Sequence, residues 1–452
     1  MTQQTNSQKL DALRRLHAST RHARPATPER GVAKPASSRT DFTTLPAWKE
    51  MQFGLATAAA LGLDPPFFRP VSAARGTQLC INGQWVENFA SYDYLSLNRS
   101  PAVAGAVAQA VADWGVSATA SRLVGGNLAY HDALEDELAD FLGTEAALTM
   151  VSGHGTNQAI LRTLCGPGDL IAVDQLAHNS IYEGIRVSGA AHVTFPHNNT
   201  DWLDRKLSEI REDYDRVLVV TEGLFSMDGD VPDLARFTAI RRRHDTWLML
   251  DEAHSIGVLG KTGRGIREEQ GIDPGEVDIV MGTLSKTFCS AGGFVAGSRA
   301  LIETIGFKAP GFIYSVGLSA PHAAASLAAL RALRADPGLT ERLRGLGRHF
   351  RARAQAAGLD CGPSEGYAIA PVMLGDSVRA TWISNQLLAA GFNVLPIIAP
   401  AVQERHARLR FFLNVGHDEA VIDAVIAKTA ELVALATQGG FDIAATAAAQ
   451  RG

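Results

Sequence analysis

Two short apolar runs, each emptying directly into a polar cluster, constrain this chain more than any other feature. Trp247-Leu-Met-Leu250 runs into Asp251-Glu-Ala-His254-Ser255, and Val277-Asp-Ile-Val-Met-Gly-Thr283 runs into Leu284-Ser-Lys286-Thr287. A short, mostly apolar run reads as a strand buried on both faces of a parallel sheet. The two are about one strand–helix–strand crossover apart, so both polar clusters fall at the carboxyl edge of one sheet, where open α/β sheets bind ligands. Strand and helix patterns alternate from Pro101 to about residue 330, which predicts an α/β fold with a mainly parallel sheet.

The flanking segments divide the remainder. Residues 1–44 read as a disordered basic arm, rich in Ser, Thr, Ala, Pro, Arg and Lys. Residues 45–100 read as a helix followed by a hairpin that turns at Asn82-Gly83. A large domain is expected over 101–335, and a small α+β C-terminal domain over 336–438. Within the latter, strands are expected near 369–374 and 408–413, with helices around 337–357 and from about 418; 439–452 reads as a flexible tail.

Composition removes several classes. The 452 residues are 46 % hydrophobic and 20 % charged, with a net charge of −5, which argues against a general nucleic-acid binder. No apolar run is long enough to cross a bilayer. Cys80, Cys165, Cys289 and Cys361 are scattered with no CxxC pair, so neither a zinc site nor a disulfide framework is expected, and a reducing, cytoplasmic setting is. The arm lacks an apolar core of the secretory kind. Its Arg-rich, acid-poor composition leaves a transit peptide as a minor alternative.

Lys286, beyond a buried strand and among Gly, Ser and Thr, reads as a lysine drawn into a tight pocket beside phosphate-binding hydroxyls rather than a plain surface lysine. An N-cap Asp and a core His would account for Asp251 and His254, but three titratable groups at one strand end exceed what stability alone would favour. An Asp, a His and a Lys at one edge suit pyridoxal phosphate. The Lys forms a Schiff base, and the Asp pairs with the protonated ring nitrogen and keeps the ring an electron sink. Ser152-Gly-His-Gly-Thr-Asn157, ahead of a helix expected to start near Asn157, offers backbone N–H groups as a phosphate seat. Neither a GxGxxG fingerprint nor a complete P-loop is present. For His178 a satisfied core histidine is slightly the better reading, and a ring stacked on the cofactor is the alternative. In Glu222-Gly-Leu-Phe-Ser-Met-Asp-Gly-Asp230, Ser226 is the residue expected to face the ligand.

Taken in order, these motifs resemble the α-oxoamine synthase family of fold-type I pyridoxal-phosphate enzymes, over about residues 45–437. The resemblance implies a Schiff base at Lys286, ring-nitrogen pairing by Asp251, a 3-oxygen contact from His254 and ring stacking by His178. It places phosphate contacts at the backbone of Gly153 and His154, at Thr283, and at Ser315 of the opposite subunit in a homodimer. Arg410, in Arg408-Leu-Arg-Phe, falls where the family grips the amino-acid carboxylate.

Departures from the pattern narrow the expectation. Tyr92 in Ser91-Tyr-Asp-Tyr-Leu95 is similar to the serine palmitoyltransferase branch, His154 replaces an aromatic, His178-Asn-Ser180 replaces His-Ala-Ser, and Phe412 stands where a Thr is usual. The set resembles synthases of polyketide or prodiginine-type pathways, whose acyl donor can ride on an acyl carrier protein instead of coenzyme A. The implied reaction joins an amino acid to an acyl thioester with loss of CO₂, Lys286 acting as the base. Gly, Ala and Ser remain open as the amino acid, and Tyr92 and Arg410 are the substrate-contact candidates. The rival readings are a primary-metabolism synthase of the same family, an aminotransferase or lyase of the same fold, and a non-catalytic subunit. The arm, with Arg14, Arg15, Arg21, Arg24, Arg30, Lys34 and Arg39, is a candidate dock for an acidic carrier protein.

Overall fold

The computed structural model of the chain describes residues 40–437. Residues 1–39 of the basic arm, with its suggested carrier-protein dock, and the tail beyond 437 lie outside the described residues, whereas the end of the arm, expected to be disordered through residue 44, forms a capped turn. Among the described residues, 40–60 and 61–437 form two units. In the first, Asp41 accepts from the backbone N–H and hydroxyl of Thr43, capping a turn at Phe42–Thr44. A helix follows over Pro46–Ala60, and none of its residues is buried.

The second unit opens with β1 (Val71–Arg75), β2 (Gln78–Ile81) and β3 (Gln84–Asn88), paired antiparallel. Asn82 and Gly83, at φ 51° and 78°, make the tight turn between β2 and β3. Both central residues at positive φ is the geometry that an Asn-Gly hairpin prefers.

Seven strands then build the main sheet: β4 (Ala146–Met150), β5 (Leu170–Asp174), β6 (Ala191–Phe195), β7 (Val217–Glu222), β8 (Trp247–Asp251), β9 (Ile279–Thr283) and β10 (Gly293–Gly297). Their order is β4-β10-β9-β8-β7-β5-β6. β5 to β9 run parallel, and every residue of β5 and β7 is buried, as their uninterrupted apolar runs predict. β10 runs antiparallel to both β4 and β9. The connection 284–292 is too short for a helical crossover, so the next strand has to return antiparallel. That tight return carries Lys286.

The chain leaves β5 toward β6 and leaves β7 toward β8, in opposite directions across the sheet. The carboxyl ends of β5, β7 and β8 thus border a topological switch point, where an open α/β sheet leaves a crevice. Facing it is a smaller part with β11 (Ile369–Gly375), β12 (Phe392–Asn393), β13 (Leu395–Ile397) and β14 (Ala407–Phe412). β11, β14 and β13 form an antiparallel sheet, whereas β12 pairs parallel with β3. Helices Gly338–Ala356, Ser377–Ala389 and Glu419–Thr437 complete this part.

β14 is fastened to the loop after β7. Arg408 donates to the Met227 carbonyl at 3.2 Å and pairs with Asp228, and both side chains are buried. Gly229, at φ 69°, lets that loop lie against the carbonyl of Ile369 in β11, where a Cβ would collide.

Candidate active site

The crevice collects one group from each strand end. Asp251 closes β8 with only 4 % of its surface exposed. Its Oδ1 accepts from the Ala253 N–H and its Oδ2 from Asn157 Nδ2, both at 2.9 Å. Two fixed donors orient the carboxylate and leave lone pairs for a further N–H partner.

Asn157 differs from its expected place. The helix starts at Gly153 behind an N-cap at Ser152, whose hydroxyl accepts from the Gly155 N–H, so Asn157 sits in the second turn. From there its amide also reaches Ser180 Oγ at 2.9 Å, and Ser180 Oγ lies 2.7 Å from Nδ1 of His178. A continuous chain of hydrogen bonds therefore links His178 to Asp251. The His178 N–H donates to Glu222 Oε1 at 2.6 Å, and Glu222 sits beside Asp251 in the register of β7 and β8. The His178 ring is open to the crevice, with the edge of one ring toward the face of the other in its pairing with His154, centroids 6.3 Å apart.

Burial pushes the Glu222 carboxyl well above the usual range, and the nearby Asp251 charge adds to that shift. Burial pulls the Lys286 amine down to about 8, against the opposing attraction of Asp251 and Glu222. Lys286 Nζ lies 5.8 Å from the centre of the Tyr92 ring.

His254 Nδ1 is 2.7 Å from the hydroxyl of Tyr94. Burial, then Lys286 and Arg410, hold His254 well below its ordinary value, and burial holds the Tyr94 phenol well above its own. Both groups are therefore neutral. With the phenol donating to Nδ1, the imidazole proton resides on Nε2, available as a donor.

The helix start and β9 converge on an anion seat. A Cβ on Gly153 would stand 2.8 Å from Thr283 Oγ1, so backbone and hydroxyl can approach only because the residue is glycine. The first-turn N–H groups of a 12-residue helix and a threonine hydroxyl together suit a phosphate. Ser315 lines a small hollow beside this seat with Arg122, Met150 and Val151.

Arg410 donates to the Ser226 carbonyl at 2.9 Å, and its guanidinium lies 4.6 Å over the Phe412 ring. Its Nε is buried with no hydrogen-bond partner, and the Tyr92 side chain also interacts with the guanidinium. Ser226 thus meets Arg410 through its main chain. Phe412 also touches Tyr92 edge-on at 4.7 Å and stacks near His254 at 6.4 Å.

The structure brings Lys286, His178, Asp251, His254 and Arg410 into one crevice, with Tyr92 on its wall. Asn157, Ser180, Glu222 and Tyr94 belong to the same network and were not singled out from the sequence. Tyr94 and Glu222 carried a signal in the motifs around Tyr92 and Ser226; Asn157 carried none. A pyridoxal-phosphate outline fits these groups: a seat for the phosphate, a carboxylate for the ring nitrogen, an Nε2–H for the ring oxygen and a depressed lysine.

Comparison with known proteins agrees. The family model for aminotransferase class I and II matches residues 85–428. 8-Amino-7-oxononanoate synthase from Alcanivorax borkumensis is 39 % identical over 84 % of this chain and 98 % of its own. The same enzyme from Geobacter sulfurreducens is 38 % identical over 80 % of this chain and 93 % of its own. Serine palmitoyltransferase solved with pyridoxal phosphate superimposes with a TM-score of 0.83 at 29 % identity, covering 87 % of this chain and 98 % of its own. The chain belongs to the α-oxoamine synthases, within the class I and II aminotransferase family. It is a pyridoxal-phosphate-dependent acyltransferase of fold type I, acting on an amino acid and an acyl thioester. Among the described residues no helix is long and apolar enough to cross a membrane, and no cluster of His, Cys, Asp and Glu could hold a metal ion.

Proposed function

We propose that this enzyme joins a small amino acid to an acyl thioester with loss of CO₂, yielding an α-aminoketone for a secondary-metabolite or lipid pathway. Lys286 would hold pyridoxal phosphate, with Asp251 at the ring nitrogen, His254 at the ring oxygen and His178 over the ring. The phosphate would rest on the Gly153 and His154 N–H groups and on Thr283. Bound in this way, the cofactor supplies an electron sink for the carbon bearing the amino group. Arg410 would clamp the carboxylate, and the Lys286 amine would take the Cα proton. The new bond forms from Cα to the thioester carbonyl carbon, the thiol departs, and the carboxylate leaves as CO₂.

The single observation that carries this reading is Lys286, pulled down to about 8 in the same crevice as the Arg410 guanidinium. A base and a carboxylate grip are what a condensing enzyme needs on one amino acid. Titration of the purified, cofactor-loaded protein with Gly, L-Ala and L-Ser, followed by an acyl thioester, tests it by visible absorption and aminoketone release. A spectrum that responds to one amino acid, and product that requires the thioester, are expected; turnover without thioester would overturn it.

The primary-metabolism reading has specific support in the relatives named 8-amino-7-oxononanoate synthase. The skeleton of that product divides into alanine and a seven-carbon dicarboxylic acyl group, so this pair belongs in the substrate panel. Coenzyme A and carrier-protein thioesters should be compared side by side.

A cytoplasmic homodimer is part of the same proposal. Leu123, Val124, Tyr314 and Val316 are exposed around Ser315, and apolar exposure of that kind supports a protein interface. Ser315 would then reach the phosphate seat of the partner subunit.

A further inference from the structure

Two loops that border the crevice, those after β5 and β7, meet at one histidine carried by a third loop outside it. His197, in the loop after β6, places Nδ1 2.9 Å from Asp174 Oδ1 and Nε2 2.8 Å from Asp230 Oδ2. Each ring nitrogen faces a carboxylate oxygen, so each must donate and the imidazole must carry both protons. Both carboxylates are buried, Asp174 fully and Asp230 with 6 % exposure. Asn198 extends the knot, donating its N–H to Asp174 Oδ2 at 2.9 Å and its amide to Asp230 Oδ2 at 3.0 Å. The Phe225 ring meets the imidazole edge-on at 4.4 Å.

The two carboxylates anchor different parts of the site. Asp174 ends β5, and its side chain and carbonyl accept the Leu176 and Ala177 N–H groups, building the turn that delivers His178. Asp230 closes the loop after β7, accepting the Phe225 N–H with its carbonyl. That loop supplies the Ser226 carbonyl to Arg410 and the Met227 carbonyl to Arg408.

We infer that His197 is a positioning residue, a charged cross-tie that holds the loop carrying His178 at a set distance from the loop that seats Arg410. The inference rests on the proposed roles of His178 and Arg410. Charge-assisted hydrogen bonds on both sides make the tie stiff, and removing the cation leaves two buried carboxylates facing each other. A shift of about 1 Å in a positioning group can cost roughly a hundredfold in rate.

His197→Gln can bond only one of the two carboxylates through its amide N–H. In the double variant His197→Gln/Asp230→Asn, the Gln amide donates to Asp174 while its oxygen accepts from the amide introduced at position 230, so both links return without charge. The measurements are the Kd of pyridoxal phosphate for the cofactor-stripped protein, KM for the amino acid, kcat, and the melting temperature. The single variant should raise both the cofactor Kd and the amino-acid KM about tenfold or more below its melting temperature. The double variant should recover most of that loss. A lowered melting temperature with unchanged Kd and KM would reduce His197 to a structural role and overturn the inference. So would a double variant as impaired as the single one. A wild-type protein that binds cofactor but condenses nothing would count against the proposed reaction alone, because the Kd comparison remains readable.

Discussion

Asn157 Nδ2 lies 2.9 Å from Asp251 Oδ2 across 94 residues of sequence, and the same nitrogen reaches Ser180 Oγ. One amide thereby aims the carboxylate proposed for the ring nitrogen and steadies the serine that holds His178. Asn157→Asp would place a second carboxylate against Asp251, and Asn157→Ala would leave Asp251 Oδ2 without its donor. Either change should weaken pyridoxal phosphate binding about tenfold, a loss of about 1–2 kcal/mol in line with one charge-assisted hydrogen bond. Absorbance titration of the cofactor-stripped variants measures it. Unchanged affinity in both would mean that Asp251 is held by its own turn.

Tyr94 and His254 form the next testable pair. Tyr94→Phe keeps the packing but leaves a buried Nδ1 with no donor, a cost of about 1–3 kcal/mol. The loss also frees the imidazole proton to move to Nδ1, taking it away from the ring oxygen. kcat should fall about tenfold with little change in the amino-acid KM, since the affected contact is not to the carboxylate. Steady-state kinetics with thermal unfolding separates the two effects. A stability loss without a kcat loss would limit Tyr94 to packing.

Lys286 makes the pH prediction. Its amine is pulled from the ordinary lysine range down to about 8 by burial. Only the unprotonated amine accepts the Cα proton, so kcat should rise with pH and level off above about 8. The pH dependence of Cα hydrogen exchange in a bound amino acid reads this step directly. A limb near the ordinary lysine value would show that the amine is not desolvated when it acts. Lys286→Ala should abolish turnover while the protein still folds, checked by circular dichroism.

Much of the site was legible because strand ends announce themselves. Lys286, Asp251 and His254 each follow an apolar run, and the parallel sheet brings such ends together whatever lies between them. The four-residue Asn157 displacement had a different cause: the helix begins at Gly153 because Ser152 caps it, and glycines at a helix start look like loop. Tyr94 and Glu222 lay inside motifs read from the sequence, but their roles depend on tertiary pairing, one contacting a residue 160 positions away and the other joined to Asp251 by the β7–β8 register. His197 was not singled out from the sequence, because its two carboxylates converge only after β5, β6 and β7 have packed. β10 carries no sequence mark of its antiparallel direction, because its five residues are as apolar as those of the parallel strands β5 to β9.

Gly153 tests the phosphate seat. A Cβ there would meet Thr283 Oγ1 at 2.8 Å, and the hydroxyl is already held by the Gly292 carbonyl at 3.1 Å. Gly153→Ala must therefore push the helix start away from β9. Pyridoxal phosphate should bind roughly tenfold more weakly, whereas pyridoxal without the phosphate should bind as before. Equal losses for both compounds would place the damage elsewhere in the crevice.

Phe412 bears on the choice of amino acid. It follows Arg410 by two residues in β14, so both project from the same face of the strand. Its ring supports the guanidinium at 4.6 Å and meets Tyr92 at 4.7 Å, presenting carbon where a threonine would present a hydroxyl. A cation–π contact in a desolvated site contributes about 2 kcal/mol or less, so Phe412→Leu should raise the amino-acid KM up to about thirtyfold. Phe412→Thr removes the same support and adds a hydroxyl beside Arg410. Its KM should rise for Gly and L-Ala but less for L-Ser, whose own hydroxyl gains a partner, by up to about tenfold in relative kcat/KM. Competition among the three amino acids for one acyl thioester measures the shift. If the preference stays fixed while KM rises, Phe412 orients Arg410 without reading the side chain of the substrate.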